Sequence, residues 1–151
     1  MDELQDKLRE EIFGKSGGMR DEFNIQLPPN SAIELKSKFL EYVPKKSLFV
    51  EFPVQEKHVG PLGILQGGIL SAFFDDTFGP LSYATLKKPM VTIDLHVYFL
   101  RSVKPGDTVK VKAEITSRGR KIIYMKAEAF DQKNKLIGTA TTSALILDGV
   151  E

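Results

Sequence analysis

The chain has 151 residues, which is enough for one domain with a single hydrophobic core. Its 21 lysine and arginine residues are balanced by 20 aspartate and glutamate residues, so we expect neither a nucleic acid nor a membrane as partner. The absence of cysteine excludes a disulfide framework and a thiolate metal site, and only two distant histidines are present, so we expect no metal. The first residues lack the pattern of a secretory signal, which predicts a cytoplasmic protein.

The N-terminal segment, residues 1–30, is predicted to form a helix followed by an arm. Apolar residues recur every four positions among charged ones, which indicates a short amphipathic helix over residues 1–13. Glycines end this helix, and the polar run up to Pro28 and Pro29 has the composition of a linker. We expect the arm to dock loosely on a single domain formed by residues 31–151.

Two strands are predicted before the most apolar part of the chain. Residues 31–43 fit both alternation and a helical repeat, and we interpret them as a strand. Residues 47–54 alternate more clearly and should pair with the first strand in an antiparallel arrangement. Residues 56–65 have the glycine and proline content of a loop that can lie close to a ligand. A lone histidine in such a loop, here His58, is expected on the surface.

The stretch 66–86 is predicted to be a buried helix because it is apolar on every face. Asp75 and Asp76 lie at its middle, where an ionised carboxylate without a partner is costly. The length would suit a membrane span, but the two aspartates and the Gly79-Pro80 pair favour a core helix. Because proline has no N–H group, we expect a kink near Asp76.

Four strands are predicted after this helix, at residues 90–100, 108–116, 122–130 and 136–147. The first alternates throughout and places Val91 and Ile93 on its apolar face and Thr92 on its polar face. Turn residues separate the strands, so we expect the four to pair consecutively as a meander. Together these elements predict an α+β fold in which a curved antiparallel β-sheet wraps around a central long α-helix.

Three stretches stand in a specific order and spacing. They are GPLGILQGG with Asp75 nine residues after Gln66, then FGPLSY, then VTIDLHVYFLRSVKPGD. In these stretches, and over about residues 32–147, the chain resembles the hotdog-fold acyl-CoA thioesterases of the PaaI-like branch. The resemblance implies hydrolysis of an acyl-CoA to a free acid and CoA, without a cofactor because CoA is part of the substrate. It also implies a homodimer with active sites at the subunit interface and leaves a dimer of dimers, a homotetramer, open.

Thioester hydrolysis needs an oxyanion stabiliser and a base or nucleophile. Gly67 and Gly68 begin the helix, where N–H groups lack intrahelical acceptors and the absent β-carbon lets a carbonyl approach. Successive helical residues diverge by about 100°, so Asp75 and Asp76 do not face the same site. The resemblance selects Asp75 as base or nucleophile and leaves Asp76 as a structural acid. It also implies that the Thr92 hydroxyl orients the water or the carboxylate.

Two positions depart from the pattern of similar enzymes. Many of them have histidine where this chain has Gln66, and asparagine where it has Gly60. Gln66 can hydrogen-bond the thioester carbonyl or the leaving sulfur, but it does not become charged near neutral pH. Gly60 favours one alternative, a non-catalytic acyl-CoA-binding protein of the same fold. Gln66 speaks against another, an enoyl-CoA hydratase or dehydratase, which usually needs a histidine-carboxylate pair.

Two further groups of residues are expected to bind the substrate. CoA carries phosphates that basic side chains should meet, and Arg118, Arg120 and Lys121 cluster on a predicted hairpin. Phe74 and Phe78 of the apolar helix are expected to line the acyl pocket, which favours an apolar or aromatic acyl group. The length of the acyl chain is not encoded in any of these patterns.

Overall fold

A computed structural model of the chain describes residues 2–14 and 25–148. Its elements are helices α1 (Glu3–Phe13), α2 (Asn30–Leu35) and α3 (Gly67–Leu86) and strands β1 (Lys38–Val43), β2 (Ser47–Pro53), β3 (Met90–Phe99), β4 (Thr108–Arg118), β5 (Ile122–Phe130) and β6 (Leu136–Ile146). The strands form one antiparallel sheet in the order β1-β2-β4-β5-β6-β3. Helix α3 packs across it, which confirms the predicted α+β hotdog fold.

Helix α3 lies in the core because its apolar residues cover almost the whole helix surface. Phe73 is fully buried, and its ring stacks on Phe52 of β2 with the ring centroids 4.5 Å apart. The helix continues through Pro80 and ends where Lys87, in a left-handed conformation, bonds its N–H to the Tyr83 carbonyl at 2.7 Å. No helix of the described residues is long and apolar enough to cross a membrane.

Helix α1 is docked on the sheet more firmly than expected for a loose arm. Leu8 and Ile12 belong to the same hydrophobic core as α3. The Gln5 side chain binds both backbone groups of Phe39 in β1, since its Oε1 accepts from the N–H at 2.8 Å and its Nε2 donates to the carbonyl. The amphipathic repeat of α1 therefore marks a face that the domain buries.

The prediction of a single strand over residues 31–43 is wrong in its first half. Asn30–Leu35 is helix α2, and strand β1 begins only at Lys38. Pro29 precedes the helix in an extended conformation, and Lys36 ends it with a left-handed φ of 56°. The N–H groups of Lys36 and the next residue close the last turn by binding α2 carbonyls. These caps stabilise a short helix that apolar spacing alone does not distinguish from a strand.

The predicted meander is wrong for its first strand. Strands β4, β5 and β6 do pair consecutively, but β3 pairs with β6, and β4 pairs with β2. The segment between β3 and β4 therefore crosses the sheet, and its Val103 carbonyl accepts from the Leu65 N–H at 2.8 Å. The turn signal in this segment indicated a reversal of the chain but not the partner of the next strand. As a result, β3 is an edge strand.

A β-bulge reverses the predicted faces in the first half of β3. The register with β6 shifts between Thr92 and Asp94, so the strand contains one extra residue at this point. Val91 and Ile93 are therefore 52% and 55% exposed instead of facing the core. The bulge turns Thr92 toward α3, where its hydroxyl reaches the Asp75 carboxylate.

Candidate active site

Asp75 lies about two turns into α3, opposite the bulge of β3, and its side chain is exposed. The Thr92 hydroxyl donates to Asp75 Oδ1 at 3.0 Å. Among the described residues no other hydrogen bond reaches this carboxylate, so Oδ2 is available to a water molecule or a substrate. The arrangement fixes the carboxylate by one oxygen and presents the other.

Asp76 points in a different direction from Asp75, as the helical geometry requires. Its Oδ1 accepts from the Ser31 hydroxyl of α2 at 2.9 Å, whereas Oδ2 is buried without a hydrogen-bond partner in the described part of the chain. Burial raises the pKa of this carboxyl to about 6; the Ser31 hydrogen bond opposes the rise and the charge of Asp75 adds to it. Asp76 thus links the two helices at some electrostatic cost.

The start of α3 offers the N–H groups of Gly67 and Gly68, which have no intrahelical acceptor. Gln66 precedes them in an extended conformation, and its side chain makes no capping hydrogen bond. Among the described residues, a Cβ added at Gly67 would meet only the Phe99 side chain, at 3.9 Å, and one added at Gly60 would lie 3.9 Å from Gln66 Cγ. Neither packing nor backbone conformation in this chain demands glycine at position 67, which favours close approach by another molecule.

His58 supports the start of α3 and is buried, with 5% exposure, so its predicted surface position is wrong. Its ring meets the ring of Phe73 edge-on with centroids 6.1 Å apart, and its backbone carbonyl accepts from the Gln66 N–H at 3.0 Å. Burial lowers the pKa of the imidazole; the charge of Lys57 adds to this effect and that of Glu34 opposes it. The buried ring and the hydrogen bond from Gln66 therefore tie this loop to the start of α3.

The predicted catalytic residues are divided between two cavities. The first, here named the acid cavity, has a volume of about 280 Å³ and contains Asp75 and Thr92. The second, here named the glycine cavity, has a volume of about 400 Å³ and contains Gly60, Gln66 and Gly67. The two share no lining residue among the described residues, and the helix rises about 12 Å over the eight steps from Gly67 to Asp75. One chain alone does not bring its glycine N–H to its own carboxylate.

The two phenylalanines predicted to line an acyl pocket are core residues. Phe74 and Phe78 are fully buried, with their ring centroids 6.4 Å apart. Phe74 also lies beside Gly138 of β6, where a Cβ would come within 2.7 Å of the Tyr98 carbonyl oxygen. Neither ring lines the acid cavity or the glycine cavity, so the structure gives both a packing role instead.

The basic residues Arg118, Arg120 and Lys121 are exposed at the turn between β4 and β5. Thr92 pairs with Ala144 of β6, which in turn pairs with the beginning of β5. The basic turn therefore lies at the same end of the sheet as the acid cavity. Its contact with CoA phosphates stays a prediction.

Asp94 supports the candidate site by fixing the bulge of β3 next to Thr92, a role that the sequence pattern did not reveal. Its Oδ1 accepts from the Ser143 hydroxyl at 2.6 Å and from the Ser143 N–H at 2.9 Å, and these bonds lower the pKa of Asp94. They tie the residue that follows the bulge to β6, and so support the orientation of Thr92. Aspartate is disfavoured in strands, which was the only available signal.

Comparison with known proteins gives consistent results. The sequence model of the thioesterase superfamily matches residues 62–137. Acyl-coenzyme A thioesterase 13 of Mus musculus is 28% identical over 127 residues, which cover 83% of this chain and 84% of the relative. The E. coli PaaI protein from the phenylacetic acid degradation operon has a similar fold, with a TM-score of 0.76, 18% identity, and coverage of 82% and 88%. A hypothetical thioesterase of Streptococcus pneumoniae, in a structure with coenzyme A, also has a similar fold, with a TM-score of 0.74 and 20% identity. The match covers 89% of this chain and 100% of that protein.

Proposed function

Since the chain belongs to the thioesterase superfamily, as a thioester hydrolase of the PaaI-like hotdog type, we propose that it hydrolyses an acyl-CoA to a free acid and CoA. The observation that carries this proposal is the 3.0 Å hydrogen bond from Thr92 to Asp75 at a cavity beside the central helix. This hydrogen bond supports a role in which the Asp75 carboxylate is held through Oδ1 and reacts through Oδ2.

Asp75 can act in two ways, and both use its second oxygen. As a general base, it takes a proton from water while the water oxygen attacks the thioester carbonyl carbon. As a nucleophile, it attacks the same carbon itself, and water then hydrolyses the acyl-enzyme anhydride. In both routes the carbon–sulfur bond breaks, and the CoA thiolate takes up a proton. The Thr92 hydroxyl holds the carboxylate in position throughout.

The oxyanion is stabilised by the N–H of Gly67 from a second copy of the chain. The separation of the acid cavity from the glycine cavity supports this arrangement, as does the free edge of β3 with exposed Val91 and Ile93. Antiparallel pairing of two β3 edges across a twofold axis sets the Thr92 end of one strand beside the Phe99 end of the other. Phe99 lines the glycine cavity, so each site combines both halves.

Gln66 and the basic turn complete the proposed site. The Gln66 side chain is exposed at the glycine cavity and makes no capping bond, so its amide is available to the thioester carbonyl or the sulfur. Arg118, Arg120 and Lys121 meet the CoA phosphates, because the basic turn lies at the acid-cavity end of the sheet.

Release of CoA thiol from acetyl-, decanoyl-, palmitoyl- and phenylacetyl-CoA tests this function, with wild type compared to Asp75→Asn. We expect turnover by wild type and a loss of at least about 100-fold in the variant, as for removal of a general base. Asp76→Asn is the matched control, because it makes the same change one residue along the helix. Near-normal turnover by Asp75→Asn would overturn the assignment of the carboxylate.

The alternative of a non-catalytic acyl-CoA-binding protein is favoured by one observation. Gly60 lies next to Gln66 and supplies no side chain where similar enzymes have asparagine. Saturable binding of acyl-CoA by wild type without release of thiol from any member of the panel would support the binding protein.

A further inference from the structure

The acid cavity has an apolar wall that comes from the N-terminal segment. Phe13 at the end of α1, and Ile25 and Leu27 before α2, line the side that faces α3. These residues precede the part of the chain, residues 62–137, that matches the thioesterase superfamily. The wall therefore lies outside the part matched by the family model, and it lines the same cavity as the candidate catalytic carboxylate.

The opposite side of the acid cavity is a stripe along α3. Asp75, Gly79 and Tyr83 follow one another at intervals of four residues, so they lie on one face of the helix. A Cβ built at Gly79 would meet no atom of the described residues within 4 Å. Glycine inside a helix is less favourable than alanine by roughly 1 kcal/mol, and no packing contact within residues 2–14 and 25–148 compensates for it. The space beside Gly79 points to an occupant.

Two aromatic side chains lie at the end of the cavity away from Asp75. The rings of Phe13 and Tyr83 have their centroids 6.3 Å apart, and both residues line the cavity. From Asp75 to Tyr83 the helix rises about 12 Å. An extended chain advances roughly 1.3 Å per bond, as the 3.8 Å spacing of consecutive Cα atoms shows. The stripe thus matches a chain of about nine or ten carbons.

The cavity volume is compatible with a small acyl group. It is about 280 Å³, near the lower end of the range of small-ligand sites, which is about 300 to 1,000 Å³. The length of the stripe therefore indicates the occupant, a straight aliphatic chain whose carbonyl end lies at Asp75.

We propose that the acid cavity is the acyl pocket and that the Phe13–Tyr83 pair limits the acyl group to a medium-length aliphatic chain of about nine or ten carbons. This inference rests on the proposed thioesterase function, since it identifies the acyl group on which the enzyme acts. The chain lies between the N-terminal wall and the open surface at Gly79, and its methyl end meets the two aromatic rings.

Gly79→Leu tests the pocket, because the new side chain enters space that no atom of the described chain fills. The measurement is the ratio of kcat/KM for decanoyl-CoA to that for acetyl-CoA. Each buried methylene contributes roughly a factor of four, so losing three or more of them should lower this ratio at least about 30-fold. Gly79→Ala should lower the same ratio by a smaller factor. Because alanine favours helix formation, this variant provides the test if Gly79→Leu does not fold.

Phe13→Ala tests the length limit in the opposite direction. Removing the ring opens the far end, so the ratio of kcat/KM for palmitoyl-CoA to that for decanoyl-CoA should rise about tenfold or more, since several methylenes become buried. Ile33→Ala is the control for the N-terminal part, because Ile33 is an exposed residue of α2 outside the acid cavity. It should leave both ratios unchanged.

The outcomes separate this inference from the proposed function. If wild type hydrolyses acyl-CoA but Gly79→Leu keeps the wild-type ratio, the pocket is wrong and the thioesterase stands. If wild type hydrolyses none of the panel, calorimetric binding of decanoyl-CoA and acetyl-CoA decides instead. Preferential binding of decanoyl-CoA that Gly79→Leu abolishes would support the pocket without catalysis, and equal binding of both would overturn it.

Discussion

The acid cavity and the glycine cavity differ in how far apart along the chain their residues lie. The glycine cavity is formed by two short stretches, residues 60–67 and 99–102. The acid cavity collects residues from position 13 to position 92, from three helices, the segment before α2, and the bulged strand. The backbone N–H donor at the start of α3 is thus formed by residues close together in sequence. The position and surroundings of the Asp75 carboxylate depend instead on tertiary packing.

The largest effect is expected where the glycine cavity is altered without changing the fold. Gly67→Pro removes the N–H at the first position of α3, where proline fits the helix, and the extended conformation of Gln66 suits a residue before proline. We expect kcat to fall about 100- to 1000-fold, as for loss of one oxyanion donor. Gly67→Ala keeps the N–H and is the control. Thiol release at saturating acyl-CoA measures both.

Mixed dimers test whether the two cavities cooperate across subunits. When Asp75→Asn and Gly67→Pro subunits are unfolded together and refolded, half of the dimers should contain one of each, and one of their two sites is then intact. About a quarter of the wild-type activity should return if each site uses both copies. If both residues served the same site within one chain, the mixture would stay as inactive as its components.

A smaller loss is expected when the acid cavity keeps its carboxylate but loses the group that positions it. Thr92→Val removes the hydroxyl at nearly constant shape, so Asp75 loses its hydrogen bond. Hydrogen bonds to charged groups contribute about 1.5 to 3 kcal/mol, so kcat should fall roughly 10- to 100-fold. Thr92→Ser should restore most of the activity. An equal loss in Thr92→Ser would show that the methyl group, and not the hydroxyl, matters.

The smallest effect concerns the second acid of the acid cavity and is measured as stability. The pKa of Asp76 lies near 6 in the folded state against 3.8 for an exposed aspartate, so the folded state binds the proton more tightly than the unfolded state. Its contribution to stability therefore decreases as the pH rises through this interval. Between pH 4 and pH 7, the free energy of unfolding of Asp76→Asn should therefore rise by roughly 1 to 2 kcal/mol relative to that of wild type, allowing for partial solvent screening.

Urea unfolding at several pH values checks this prediction. Asp131→Asn is a control of opposite sign, because hydrogen bonds from the backbone of Lys135 and Lys133 lower the pKa of Asp131. As the pH rises, the free energy of unfolding of wild type should increase relative to that of Asp131→Asn. Parallel stability curves for Asp76→Asn and wild type would show that the buried carboxyl does not titrate differently in the two states.

The same contrast between local and distant contacts explains what the sequence could predict. Helix α3, its glycine start and its two acids were predictable because a long apolar segment and paired glycines are local signals. The bulge in β3 was not predictable, because apolar and polar residues alternate through β3 without interruption. The shift in register involves contacts with β6, which is distant in sequence. One such contact joins Asp94 to Ser143, which are 49 residues apart.

The partners of strands and rings were likewise beyond the sequence pattern. The turn between β3 and β4 is recognisable from Pro105 and Gly106, yet it connects strands that are not neighbours. The sequence predicts Phe74 and Phe78 as pocket residues because they share an apolar helix with Asp75. The helix rotation that buries them depends on the position of the sheet, and the open surface at Gly79 follows from the same rotation.

The two edges of the sheet have different prospects for self-assembly. At the β1 edge, Gln5 of α1 occupies both backbone groups of Phe39, so an incoming strand cannot pair with this residue without displacing Gln5. At the β3 edge, no strand of the described residues is paired on the outer side. A sheet with two free edges can grow without limit into fibrils, whereas one with a single free edge stops at two copies. One glutamine side chain therefore protects the β1 edge at Phe39 from pairing with a further strand.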